Sequence, residues 1–226
     1  MSDTAWPPRT PTRHPTTTAR PQQNGSPASQ RLANLIIALQ TGLVVALIET
    51  TRPGRPARPG QVQRQDYEYR RHGVRNLLVS FEPLAGKRHI QITQRRRRQE
   101  FAHYMKWLVD EVHPEALVVH VVLDQLNTHR AAALYETFPP AEARRILRRL
   151  AFHYTPKHGS WLNMVEIELS VIGRKLKHYI PDEQTLVREV NALVEQRNAA
   201  QAHVNWQFHN ENARIKLHKL YPSIPA

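Results

Sequence analysis

Cysteine is absent from the 226-residue chain. That excludes a disulfide framework, thiolate-held zinc or iron–sulfur clusters, and thiol catalysis. Acidic side chains are scarce, 19 Asp+Glu against 32 Lys+Arg, which leaves a formal net charge of 32 − 19 = +13. Long apolar runs are missing too. The most apolar stretch, Asn34 to Ile48, is interrupted by Gln40, Thr41 and Gly42 and falls short of the ~20 residues that span a bilayer. The first residues lack the apolar core of a secretory signal, so we expect a cytoplasmic protein with no membrane partner. What the chain does have is arginine, and a surplus of +13 points to a polyanion, nucleic acid first.

The length suits one α/β domain with an appendage. Residues 1–30 are rich in Pro, Thr and Ser and poor in large apolar side chains, and are expected to form a disordered tail. Leu35–Leu39 and Leu43–Ile48 read as two short buried strands. Thr51–Gly60, TRPGRPARPG, is a linker. Tyr67 and Tyr69 alternate with polar residues. NLLVSF (76–81) and the strictly alternating HIQIT (89–93) flank a turn, and predict an antiparallel hairpin over 76–93. Phe101, Tyr104, Met105, Leu108, Val109 and Val112 then recur at helical spacing up to Pro114. The β-branched run 117–123 predicts a central strand ending on Asp124.

Residues 131–150 read as two helical pieces broken at Pro139-Pro140, and 151–154 as a strand. Helices are expected near 162–179, 182–197 and 210–220. Three strands followed by crossover-linked strands and helices predict an α/β, ribonuclease-H-like (retroviral integrase-type) mixed sheet flanked by helices. The catalytic fold would occupy 31–180, and 181–226 would be a helical extension packed on it.

Two carboxylates stand out. Asp124 lies at the carboxyl end of a strand, where ligands gather in open α/β sheets, although a strand-end Asp serves equally as a turn or cap. Glu166 borders the apolar face made by Leu162, Val165, Leu169 and Ile172, whereas Glu168 is expected to face solvent. A partly buried carboxylate needs a partner. That partner is either an Arg or Lys, or a metal ion shared with Asp124. Two acids of this kind suit Mg²⁺ or Mn²⁺ rather than zinc, but two-ion phosphodiester chemistry normally draws on at least three.

VLDQLNTH (122–129) and FHYTPKHGSWLNMVEIELSVI (152–172) resemble the catalytic core of mariner-like DDE transposases, specifically the bacterial insertion-sequence branch. The resemblance continues in YEYRRHGVRNLLVSFEPLAGKRHI (67–90), FPPAEARRI (138–146) and ARIKLHKLYP (213–222). It implies metal-dependent DNA cleavage and strand transfer, with transposon ends and target DNA as partners, and leaves a homo-oligomer open. It maps the second and third catalytic acids, which are also metal ligands, onto Asp124 and Glu166, separated by 166 − 124 = 42 positions. The family's first acid ends the first strand, but residues 35–48 contain none. Its N-terminal helix-turn-helix domain has no counterpart either. The expectation is a truncated or decayed transposase, inactive as it stands, that an Asp near Ala38–Thr41 would revive. A non-catalytic DNA-binding remnant is the alternative, and a stand-alone ribonuclease-H-like nuclease fits the motifs less well.

Other residues suit DNA. Arg95, Arg96, Arg97 and Arg98 form a phosphate-contacting run; Arg144, Arg145, Arg148 and Arg149 form a second ridge. Lys157, His158 and Trp161 sit in the turn before Glu166, where a cation could hold phosphate and an indole could stack on a base or pack in the core. Asn127, Thr128 and His129 belong either to a substrate loop or to a turn.

Overall fold

The computed structural model describes residues 34–52, 54–62, 68–157, 159–176 and 178–217. The tail 1–30, Tyr67 and His158 therefore lie outside the described residues. Five strands form one mixed sheet in the order β3-β2-β1-β4-β5: β1 Asn34–Thr50, β2 Tyr69–Glu82, β3 Lys87–Thr93, β4 Val118–Leu123 and β5 Leu150–Tyr154. β2 runs antiparallel to β1 and to β3, while β4 and β5 run parallel to β1. That is the ribonuclease-H-like arrangement the element order predicts, and the hairpin falls where the alternation placed it.

Alternation along the strands divides the core between the two faces of the sheet. On one face Ile37, Leu39, Val119, Val121 and Leu123 meet Phe101, Met105 and Leu108 of helix α1 (Arg98–Trp107) and its extension, with Leu134 of α2 (Ala132–Thr137) and Ile146 of α3 (Pro140–Leu147). On the other, Ala38, Leu47, Leu77, Val79 and Phe81 meet Val165, Leu169 and Ile172 of α4 (Val165–Lys175) and Leu186 and Val190 of α5 (Glu183–Ala199). Each fully buried Leu or Phe contributes about 1.5–3 kcal/mol. The last helix among the described residues, α6, spans Asn210–Lys216.

Three expectations change. The two short first strands are one strand of 17 residues; the polar break at Gln40–Gly42 is absorbed as a shift of register between Gln40 and Leu43, with another between Ala46 and Ile48. The helix expected over 162–179 begins later. A single 3₁₀ turn (Ser160–Leu162) comes first, and Asn163 interrupts the path because its side-chain amide donates to the Leu39 carbonyl at 2.9 Å. The helix ending at Val112 does so through a π turn, Leu108–Val112.

The edge strand β3 is covered. Asn198 of α5 accepts the Arg88 backbone N–H (2.8 Å) and donates to the Arg88 carbonyl (2.9 Å), in place of a neighbouring strand.

Candidate active site

Parallel strands bring their carboxyl ends to one edge. β1 and β4 pair as far as Ala38 opposite Val122, and Gln40 and Asp124 each follow two residues later on their chains. Asp124 Oδ1 lies 2.6 Å from His129 Nδ1. The His129 ring is fully buried and lies 5.1 Å from that of Phe101 in the first turn of α1, and the Tyr154 hydroxyl donates to its carbonyl at 2.9 Å. His129 thus fixes the aspartate rather than facing solvent, while Asn127 is exposed.

Glu166 enters the same edge from the first turn of α4. Its Oε1 accepts from Gln40 Nε2 at 2.7 Å. Burial raises its pKa above the ordinary carboxylate value, the negative charge of Asp124 raises it further, and the Gln40 hydrogen bond opposes both. Gln40 is itself buried, and among the described residues its Oε1 has no hydrogen-bond partner. Gln40, Gly42, Leu43, Glu166, Leu169 and Arg174 help to line an open cleft of about 660 Å³. Glu166 therefore faces a cleft in which its hydrogen-bond donor is a neutral amide, with the charge of Asp124 close enough to oppose its own.

The expected DNA contacts separate. β3 runs parallel to β1, so the segment after Thr93 emerges at the carboxylate edge. Arg95, Arg96, Arg97 and Arg98 are all exposed there, with Arg98 paired to Glu136 at 2.6 Å. Lys157 is exposed on the turn after β5. Trp161 has another use: its ring packs edge-on to Phe208 at 5.0 Å, and Lys216 Nζ lies 5.5 Å from its centroid, which ties down the C-terminal segment.

The arginine ridge on α3 is only partly free. Arg145 binds Asp110 through two bonds of 2.8 and 2.7 Å, and Arg149 donates to the carbonyls of Val109, His113 and Ala116. Arg144 and Arg148 remain exposed, beside the amino ends of β4 and β5 and away from the carboxylates.

Glu168 reverses its expectation. It is 1% exposed and bound by the Arg88 guanidinium at 2.7 and 2.9 Å and by Arg197 at 2.9 and 3.2 Å. The helix face that looks solvated on α4 alone is roofed by α5 and β3. Burial pushes its pKa up, but the arginine hydrogen bonds outweigh that and hold it below the usual range. Residue pattern alone did not single out Gln40 or the Arg88–Glu168–Arg197 cluster. Gln40 lies within the window Ala38–Thr41 where the resemblance expects the missing acid, and Arg88 falls just before the alternating residues 89–93, in a position no local pattern marks.

Residues 45–187 match the DDE superfamily endonuclease model. Among curated proteins none matches the chain. Similar solved structures include the Mos1 mariner paired end complex with Mn, at 9% identity over 84% of this chain and 62% of that one (TM-score 0.44). The Mos1 transposase paired-end complex with left transposon end is 11% identical over 92% and 63% (TM-score 0.46). A simian T-cell lymphotropic virus intasome in complex with PP2A regulatory subunit B56 gamma is 13% identical over 86% and 58% (TM-score 0.35). The chain spans less than two thirds of each of these chains. The match over 45–187 covers more than half of the sequence: the chain belongs to the DDE superfamily endonucleases.

Proposed function

We propose that the chain is the catalytic domain of an insertion-sequence transposase that holds transposon-end DNA without cutting it. One observation carries this reading: within the window where the resemblance expects the third carboxylate, the side chain that reaches Glu166 is a neutral amide, Gln40. Asp124 and Glu166 offer hard oxygen donors of the kind that suit Mg²⁺ or Mn²⁺. Clamping the attacking and leaving oxygens between two ions requires more negative charge than two carboxylates and an amide supply. The residues present do not fit that two-ion group, so no cleavage step follows from them.

Binding is a separate matter. Exposed Arg95, Arg96 and Lys157 flank the carboxylate edge, and phosphate contacts of this kind hold DNA without reading its sequence. Asp124, Glu166 and His129 would then lie beneath the bound backbone, with Asn127 and Thr128 shaping the loop above Asp124.

The test uses duplexes carrying the terminal inverted repeats with Mg²⁺ or Mn²⁺. The chain as it stands is expected to shift the duplex and leave it whole, and Gln40→Asp to nick it. Adding Asp124→Asn to that variant should silence it again. Cleavage by the unaltered chain would overturn the reading, and so would a folded, DNA-binding Gln40→Asp protein that never cuts.

A further inference from the structure

At the opposite end of β3 from the arginine run, three ligand-type side chains from separate elements converge. Glu82 closes β2. His89 lies on β3, diagonal to it across the hairpin, since Ser80 pairs with His89 and Glu82 with Lys87; diagonal neighbours share a face. The third, His113, follows the π turn that ends the α1 segment, and such turns recur at functional sites. One donor atom from each lies within 4.8 Å of the other two. Glu82 Oε1 is 2.6 Å from His89 Nε2 and 3.7 Å from His113 Nε2.

A hydrogen-bonded pair accounts for Glu82 and His89, but not for the third ring. Among the described residues His113 Nε2 is buried without a hydrogen-bond partner, although it faces the carboxylate. We propose that Glu82, His89 and His113 bind one zinc-type transition-metal ion that ties the β2–β3 hairpin to the end of the α1 segment.

Three observations support the chemistry. Two imidazoles and one carboxylate form a donor set for a borderline metal, with the fourth position left to water. Donors about 2.1 Å from one tetrahedral ion lie about 3.4 Å apart, so the 3.7 Å gap already suits it and the 2.6 Å gap must widen by less than an ångström. The two histidines are also braced from behind. The Tyr104 hydroxyl donates to the His89 carbonyl at 2.8 Å, Arg149 to the His113 carbonyl at 2.7 Å, and the His113 N–H to Leu108 O at 2.9 Å. Trp107 sets its ring edge-on to His89. The His89 side chain retains 20% exposure, which leaves a way in. Of the neighbouring cations, Arg149 is engaged with carbonyls, and Lys87 is exposed.

The experiment uses the full chain with Asp124→Asn, Glu166→Gln and His120→Gln, so that neither the carboxylate edge nor the exposed His120–His153 pair contributes. Calorimetry with Zn²⁺ should give one ion per chain and a melting temperature that rises with zinc concentration. Co²⁺ should give the visible absorption of a four-coordinate nitrogen–oxygen site. His113→Gln, and separately Glu82→Gln, should weaken Zn²⁺ binding at least about 100-fold, since even outer partners of metal ligands are worth about 10–100-fold. Absence of stoichiometric Zn²⁺, an octahedral Co²⁺ spectrum, or undiminished binding by a folded His113→Gln chain would each overturn the site. Should both variants unfold, the Co²⁺ spectrum of the chain with the three residues intact decides it.

Discussion

Glu166 and Glu168 stand two residues apart on α4, on opposite sides of the helix, and meet opposite fates. Glu168 is sealed between two guanidiniums, with both of its oxygens hydrogen-bonded to positive charge. Glu166 faces a cleft, feels the negative charge of Asp124, and receives one hydrogen bond from an amide. The difference teaches how to tell a carboxylate that secures the fold from one the fold leaves uncompensated. Burial does not separate them, since Glu168 is the more buried of the two. Compensation does: Glu168 is answered by two guanidiniums, whereas Glu166 meets the charge of Asp124 and a single amide donor.

The largest effect should come from the sealed side. Glu168→Ala leaves the 1%-exposed Arg88 as a buried charge without its main counterion, and breaking such a pair costs about 3–5 kcal/mol. Urea unfolding followed by circular dichroism measures it. Glu166→Ala should cost less than about 1 kcal/mol in the same assay. If the two cost the same, the contrast between the regions fails.

How much of this the sequence disclosed follows the same division. Asp124 was legible because a β-branched run stops on it, and Glu166 because its neighbours repeat at helical spacing inside a long motif. The hairpin was legible from alternation, which is a local property. Glu168 was misjudged because its burial comes from α5 and β3, elements remote in sequence that a helical wheel of α4 does not contain. Arg145 and Arg149 looked like a DNA-facing ridge for the same reason: Asp110 and the carbonyls they bind belong to another segment. β1 was divided in two because its polar break imitates a turn, and only pairing with β2 on both sides shows that the strand continues.

Glycines sharpen the contrast at the next level of effect. Gly86 has φ +63°, and a Cβ there would lie 2.7 Å from the Gln201 carbonyl oxygen, on the chain that follows α5 and helps enclose Arg88. Left-handed backbone costs other residues about 1–2 kcal/mol, so Gly86→Ala should destabilise by about 2 kcal/mol or more once the contact is added. Gly42, beside the carboxylate cleft, would place a Cβ 3.4 Å from the flexible Gln40 side chain and 3.7 Å from Leu169, which is near ordinary contact. Gly42→Ala should change stability by less than about 0.5 kcal/mol. Thermal melts of the two variants side by side test whether the enclosed region is the rigid one.

The smallest effect concerns sign rather than size. The folded pKa of Glu166 is raised, so the folded state favours its protonated form. Its contribution to stability is therefore full below the unfolded value near 4.5 and is lost as pH rises through the folded value. The folded pKa of Glu168 is lowered, so its contribution is present above the unfolded value and is lost as pH falls through the folded one. Glu166→Gln removes the repulsion from Asp124 and should leave the protein slightly more stable than the parent at pH 7, by no more than about 0.5 kcal/mol, with the advantage vanishing near pH 4. Glu168→Gln should be less stable at pH 7, with a deficit that shrinks as the solution is acidified. Unfolding curves of both variants at pH 4 and pH 7 read the two slopes. Slopes of the same sign would mean that Glu166 is compensated after all, and the contrast with Glu168 would fail.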